Sequence, residues 1–219
     1  MEVSAFFPFW NQLTTEQQGR LQASAELRQV PAGTVIHNGS MDCVGLLLMA
    51  QGQLRSYILS DEGREITLYR LFERDICLLS ASCMMTGIQF DITIQAEKDS
   101  SIWIVSPTVC KALMNESAAM ANYINEIMAG RFSEVMWLME QVLWKSQDKR
   151  LAEFLLQEIC LEGRPVLTIT HEAIANHLGT AREVVTRMLR YFQTEGLVKL
   201  TRGHVEVLNE AGLEALADV

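Results

Sequence analysis

A chain of 219 residues is long enough to fold two domains, each with its own core. Its 49% hydrophobic content is that of a globular protein, the apolar run from Val44 to Ala50 is far too short to cross a bilayer, and the start lacks the basic residues and cleavage site of a signal peptide, so a cytoplasmic chain with no membrane partner is expected. The net charge of -9 argues against sequence-blind affinity for nucleic acid, which comes from Lys and Arg neutralising phosphates.

Phe6, Phe7, Phe9 and Trp10 precede a helix that opens at Thr14 with Gln17 as capping partner, and they read as its anchor. From Glu26 to Val105, short β-rich runs alternate with turns punctuated by Gly33, Gly52 and Gly63, the pattern of an antiparallel β region. Ser60-Asp61-Glu62-Gly63 is its best hairpin signal. The alternation from Asp91 to Ala96 gives one buried face. A β-roll fits these runs.

Ser106-Pro107 opens a short helix. A long one is predicted from about Ser117 to Lys145, roughly 40 Å at 1.5 Å per residue. Along it Ala118, Ala121, Asn125, Met128, Phe132, Val135, Met139 and Val142 recur at alternating steps of three and four, a heptad seam that predicts a parallel homodimer. Asn125 occupies an a-type position, where a buried amide can fix register with its twin. Met120, Ile124, Ile127 and Leu138 form a second stripe, left to pack on the β-roll of the same chain.

The run Thr170 to Phe192 carries the most information. Ile174, Ala175 and Leu178, then Val185, Met188 and Leu189, fall at helical spacing on two helices that meet at Gly179, a residue free to take the positive φ of a sharp turn. This is a helix-turn-helix. Thr180-Ala181-Arg182-Glu183 reads as a capping box that starts the second helix. Arg182, Glu183, Thr186, Arg187 and Arg190 share the face opposite its apolar stripe, with donors and acceptors suited to base edges in the major groove. Two β-rich runs around Arg202-Gly203-His204 follow, a hairpin beside the helix pair, and Lys199 and Arg202 can meet phosphate there. Charge agrees with this placement, because residues 180–202 carry 5 basic and 2 acidic groups while the chain as a whole is acidic.

At these residues the chain resembles the DNA-binding domain of the Crp/Fnr family of bacterial transcription regulators. Arg182, Glu183 and Arg187 match the R-E-x-x-x-R with which its cyclic-AMP-binding members read the G·C pairs of a TGTGA half-site. The resemblance spans nearly the whole chain, weakly in the first half and specifically in the last quarter. It implies an α+β protein: an N-terminal cyclic-nucleotide-binding-like β-roll that senses an effector (1–116), a long dimerisation helix (117–146) and a C-terminal winged helix-turn-helix (147–219). It also implies a palindromic operator and RNA polymerase as partners. In the family the effector lies between β-roll and long helix. The Gly-Glu and Arg-Ser pairs that hold ribose and cyclic phosphate correspond here to Leu78-Leu79 and Phe90-Asp91, and Val135 and Met136 fall where hydroxyls meet adenine. An anion buried there without a cation would cost several kcal/mol, so the effector implied is not a cyclic nucleotide.

The five cysteines, Cys43, Cys77, Cys83, Cys110 and Cys160, include no C-x-x-C pair. The N-terminal cysteine cluster of the iron–sulfur branch is missing, so that cofactor is not expected. Free cysteines are usually small core residues, but Cys77 and Cys83 flank the presumed pocket wall and keep a thiol-redox switch open, beside effector-independent DNA binding, as an alternative to a small-molecule effector. His37 could ligate haem, as in some relatives, and a strand-end surface role is the simpler reading; the cofactor stays open. No phosphate-cradling glycine loop, nucleophile elbow or H-E-x-x-H motif is present in the sequence, and an enzyme is not expected.

Overall fold

A computed structural model of the chain describes residues 1–39, 43–84 and 91–218. The chain divides into two compact units, Met1–Leu59 with Leu68–Val135, and Ser60–Thr67 with Met136–Val219.

In the first unit two short 3-10 turns lead into helix α1 (Thr15–Ala23). Its start is the expected capping box, with the Thr14 hydroxyl accepting from the Gln17 amide at 3.2 Å and Gln17 Oε1 accepting from the Thr14 amide at 3.0 Å. Phe6, Phe7 and Phe9 are buried. The Phe7 and Phe9 rings pack on Tyr123 at 6.2 and 5.2 Å between centroids, and the Tyr123 hydroxyl donates to the Phe6 carbonyl at 2.9 Å. The aromatics are therefore an anchor.

Eight strands follow: β1 (Ala25–Val30), β2 (Val35–Asn38), β3 (Leu46–Gln51), β4 (Leu54–Leu59), β5 (Glu65–Leu71), β6 (Ile76–Cys77), β7 (Thr93–Ala96) and β8 (Ser100–Val105). They form two four-stranded sheets in the orders β1-β8-β3-β6 and β2-β7-β4-β5. Strand β8 lies antiparallel between β1 and β3, and β7 lies antiparallel between β2 and β4. The run Leu46 to Met49 is apolar at every position because both faces of β3 are covered. Leu46 and Leu48 join a core with Leu21, Cys110, Leu113, Met120 and Ile124 from the helices. Leu47 and Met49, on the opposite face, join a second core with Leu54, Leu71 and Ile94 from the other sheet. The Ser60 hairpin forms as expected, with Gly63 at φ 77° and its amide donating to the Ser60 carbonyl at 2.9 Å.

Helix α2 (Pro107–Glu116) is followed by the long helix α3 (Ala118–Trp144). Met120 and Ile124 of the second stripe are buried in the first unit's core, and Ile127 packs against it. The second unit then contains α4 (Gln147–Glu162), β9 (Val166–Leu167), α5 (His171–Leu178), α6 (Arg182–Thr194), β10 (Val198–Thr201), β11 (His204–Val207) and α7 (Glu210–Asp218). Its strands form one sheet in the order β10-β11-β9. The apolar positions expected of the helix-turn-helix, Ile174, Ala175, Leu178, Val185 and Leu189, are buried in one core with Leu151, Leu155 and Phe192, and Met188 packs against it. Helices α4 and α7 and strand β9 were not anticipated from sequence. Among the described residues no helix is long and apolar enough to cross a membrane.

Candidate nucleic-acid interface

The turn that aims α6 is built from backbone requirements. The Thr170 hydroxyl caps α5 by accepting from the Ala173 amide at 3.1 Å. The helix ends at Gly179 in the left-handed region, φ 66° and ψ 36°. A Cβ at Gly179 would also stand 2.8 Å from Ile66 Cδ1, so both φ and space demand glycine. The Gly179 and Thr180 amides converge on the Ala175 carbonyl. From below, buried Arg150 donates through Nη2 to the Leu178 carbonyl at 2.7 Å, answering one of the acceptors that a helix C-terminus leaves open. Burial lowers the Arg150 pKa from its ordinary value.

The capping box expected from Thr180 to Glu183 does not form. Ala181 is the N-cap of α6, with no side-chain cap. The physical reason lies in the turn: the Thr180 amide is used to close α5, and the chain enters the second helix one residue later. Glu183 is thereby released from capping.

Arg182, Glu183, Arg187 and Arg190 are exposed and Thr186 is half-buried. Together the five line a shallow open concavity of about 450 Å³. Arg182 stands 4.0 Å from Glu172, both well exposed, a contact that binds the guanidinium only weakly. Among the described residues Glu183, Arg187 and Arg190 form no ion pair. Thr186 differs from its neighbours. Its hydroxyl donates to the Arg182 carbonyl at 2.9 Å and lies 2.9 Å from His171 Nδ1. One hydroxyl proton cannot serve both contacts, so His171 Nδ1 carries the proton and donates to Thr186. Burial, followed by the charges of Arg182 and Arg190, holds the His171 pKa below its ordinary value.

In the wing, Thr201 pairs with His204 across Arg202-Gly203, with Gly203 at φ 78°. Arg202 is exposed at this tip and, among the described residues, forms no ion pair. Lys199 lies opposite Glu206 in the register, with 3.3 Å between Nζ and carboxylate.

Outside this interface the expected seam residues are open in the single chain: Phe132, Met139 and Val142 are 67%, 50% and 42% exposed. Asn125 is also exposed, and Met128 and Val135 are half-buried. Of the expected effector wall, Leu78 and Leu79 are buried, Val135 is half-buried and Met136 exposed, and Phe90 lies outside the described residues. Sequence reasoning missed a polar cluster in the β-roll. The Arg131 guanidinium sits 4.5 Å from the Tyr69 ring centre and 2.7 Å from Glu134, and the Tyr69 hydroxyl lies 3.8 Å from Cys77 Sγ. Burial pushes both the Tyr69 phenol and the Cys77 thiol up. Tyr69, Cys77 and Arg131 come from two strands and a helix, and no sequence spacing marks their convergence. Among the described residues no group of three or more His, Cys, Asp or Glu side chains could hold a metal ion.

Residues 149–216 match the Crp-like helix-turn-helix domain. The crystal structure of a transcriptional regulator of the Crp/Fnr family from Eubacterium rectale is 60% identical to the chain, covers 98% of it and 100% of its own length, and superposes with a TM-score of 0.96. The chain belongs to the Crp/Fnr family. More distant Crp/Fnr relatives include a protein named cyclic AMP receptor protein from Thermus thermophilus, 25% identical over 96% of each chain. The fumarate and nitrate reduction regulatory protein of Vibrio cholerae is 24% identical over 88% of this chain and 78% of its own. The fold is that expected, an N-terminal β-sheet domain, a long helix and a C-terminal winged helix-turn-helix, and the Crp/Fnr assignment makes the chain a DNA-binding transcription regulator.

Proposed function

We propose that the protein is a cytoplasmic homodimer that reads a palindromic operator with α6 and is gated by an effector other than a cyclic nucleotide. The observation that carries this reading is the face of α6, where Glu183, Arg187 and Arg190 stand exposed with no ion pair among the described residues. Base edges in the major groove would supply the missing partners: an arginine can bond bidentately to guanine and a glutamate can accept from cytosine. Arg182 reads with Glu183 and Arg187, and Thr180 and Thr186 flank these readers. Arg202, with Lys199 beside it, meets phosphate. Selection from random DNA tests the proposal, with two inverted half-sites resembling TGTGA about 34 Å apart as the expected product. Recovery of a single non-palindromic site would overturn it.

The parts are assigned as residues 1–116 for effector sensing, 117–146 for dimerisation and 147–219 for DNA binding. RNA polymerase is the partner at the promoter. The dimer reading is supported by the exposed apolar stripe of α3, which few monomers leave open to water. Asn125→Lys in both chains is expected to weaken dimerisation and operator binding together. A fully dimeric variant of unchanged affinity would show that the seam is misplaced.

Cyclic AMP is not the signal in this reading. Leu78 and Leu79 are buried apolar residues, and Arg131, the cation of the β-roll cluster, is answered by Glu134 and the Tyr69 ring. Calorimetry is expected to detect no sub-millimolar binding of cyclic AMP or cyclic GMP. The second reading, a thiol-redox switch, is favoured by a bond between Cys43 and Cys83.

A further inference from the structure

Cys43 and Cys83 are separated by 40 residues yet joined as a disulfide, with 5.9 Å between their Cα atoms, inside the ordinary range for such a bridge. The bridge ties the approach to β3 to the 3-10 segment Leu79–Met84. The same two segments are held a second way. The Ser80 hydroxyl donates to the Gly45 carbonyl at 2.6 Å, and the Val44 and Gly45 amides donate to the Ser80 carbonyl at 3.2 and 3.3 Å. These bonds do not depend on the sulfurs, so they hold the two thiols within reach of each other when the bridge is reduced.

Access separates this pair from the other cysteines. Cys83 is exposed and Cys43 is half-buried. Cys77 and Cys110 are wholly buried, with burial pushing the Cys110 thiol up to about 12, where almost no thiolate exists to react. Cys160 is exposed but free. In a reducing compartment a lasting structural disulfide is unusual, and a solvent-accessible one is more often a sensor.

We propose that Cys43 and Cys83 form a reversible oxidation site through which hydrogen peroxide sets the operator affinity of the regulator. The proposal rests on the reading of the chain as a cytoplasmic DNA-binding regulator, and it deepens that reading by naming an input. The Cys83 thiolate attacks one peroxide oxygen, breaking the O–O bond and giving a sulfenic acid; the departing hydroxide takes the thiol proton and leaves as water. The Cys43 thiol then attacks the sulfenic sulfur, forming the S–S bond and releasing a second water. Two sulfurs lose two electrons in all, and the peroxide oxygens gain them. Two molecules of a low-molecular-weight thiol such as glutathione reverse the reaction, leaving as their own disulfide. Oxidation locks the turn that begins at Leu79, a residue of the expected effector wall, and reduction leaves that turn to the Ser80 bonds alone.

The test uses the full-length protein. Thiol titration should find five free thiols after reduction and three after peroxide, with a Cys43–Cys83 cross-linked peptide in the digest. Operator affinity should change roughly tenfold between the two states, within the ordinary range of allosteric coupling, and return on adding glutathione. Cys83→Ser and Cys43→Ser should stay at the affinity of the reduced protein, and Cys43→Ser should accumulate a sulfenic acid that a dimedone probe traps on Cys83. A bridge that survives excess reduced glutathione, or equal affinity in both states, would overturn the switch while leaving the regulator reading intact. Loss of operator binding in both states would overturn the regulator reading and the switch with it.

Discussion

The two units keep their polar chemistry in opposite places. In the C-terminal unit, α6 buries Val185, Leu189 and Phe192 and turns its arginines outward. In the β-roll, Ser56, Thr93, Arg55 and His37 are buried, and Arg131 is drawn in over Tyr69. A surface that meets DNA has to leave its hydrogen-bonding groups unspent, and a single helix can present them at a fixed period. The interior of the β-roll gathers its polar groups from several strands, so they become neighbours only after folding. The first arrangement yields function directly from sequence, and the second conceals it.

The largest expected effect comes from the core that aims the outward face. Leu189→Ala empties a fully buried site between the two helices and should cost about 2–5 kcal/mol of the C-terminal unit's stability. Hydrogen exchange would show it as faster exchange across α5 and α6. Arg150→Met is a sharper probe, because it keeps much of the packing volume and leaves the Leu178 carbonyl without its donor. It should cost about 1–3 kcal/mol, read as a lower denaturation midpoint. A midpoint unchanged by Arg150→Met would mean that the turn is held by Gly179 and the apolar contacts alone.

The next effect falls on the reading face itself. Arg187→Ala should cost about 1–3 kcal/mol on the specific site and little on random DNA, the effect of losing the proposed base contact. In the proposed readout Glu183 is a reader and not a cap, since α6 has Ala181 as its N-cap and no side-chain cap. Glu183→Ala should change the preferred base at one position of a selected site without lowering the stability of α6. Lost helix stability with an unchanged site would show that Glu183 serves the helix start after all.

What could be read in advance follows the same division. The helix-turn-helix was legible because Ile174, Leu178, Val185 and Leu189 repeat at the helical period and Gly179 marks the bend. The Ser60–Gly63 hairpin and the Thr14 cap were legible for the same reason, since each is set by residues within four positions of one another. The Thr180 cap failed because a local motif lost to a neighbouring demand, the open carbonyl of Ala175. Arg150 was hidden because its partner is a backbone atom 28 residues away. Cys43 and Cys83 are legible as cysteines but not as a pair, since no rule of spacing joins residues across four intervening strands.

The wing should show a smaller effect. Arg202→Ala is expected to weaken all sequences alike and flatten the salt dependence of binding by up to about one unit, as for one lost phosphate contact. Lys199→Ala should do less, because Glu206 at 3.3 Å already offsets its charge. A larger loss from Lys199 than from Arg202 would mean that DNA draws the lysine away from its carboxylate partner.

The smallest effect belongs to His171, the group that links the reading face back to α5. Burial, then Arg182 and Arg190, places its folded pKa below the ordinary 6.5, so the unfolded chain binds a proton more readily than the folded one. The sign follows from linkage. Well above pH 6.5 the imidazole is neutral in both states and costs nothing; as pH falls through that value, the unfolded state gains the proton first and stability declines until the folded form is protonated too. The denaturation midpoint of the C-terminal unit should therefore fall slightly as pH drops through His171's ordinary pKa of 6.5. His171→Gln should flatten that slope, since its amide can still donate to Thr186 and does not titrate. A slope that survives the substitution would assign the acid sensitivity to another group. A slope of the opposite sign in the unaltered protein would mean that the folded imidazole holds its proton more tightly than the unfolded one, against the effect of the two arginines beside it.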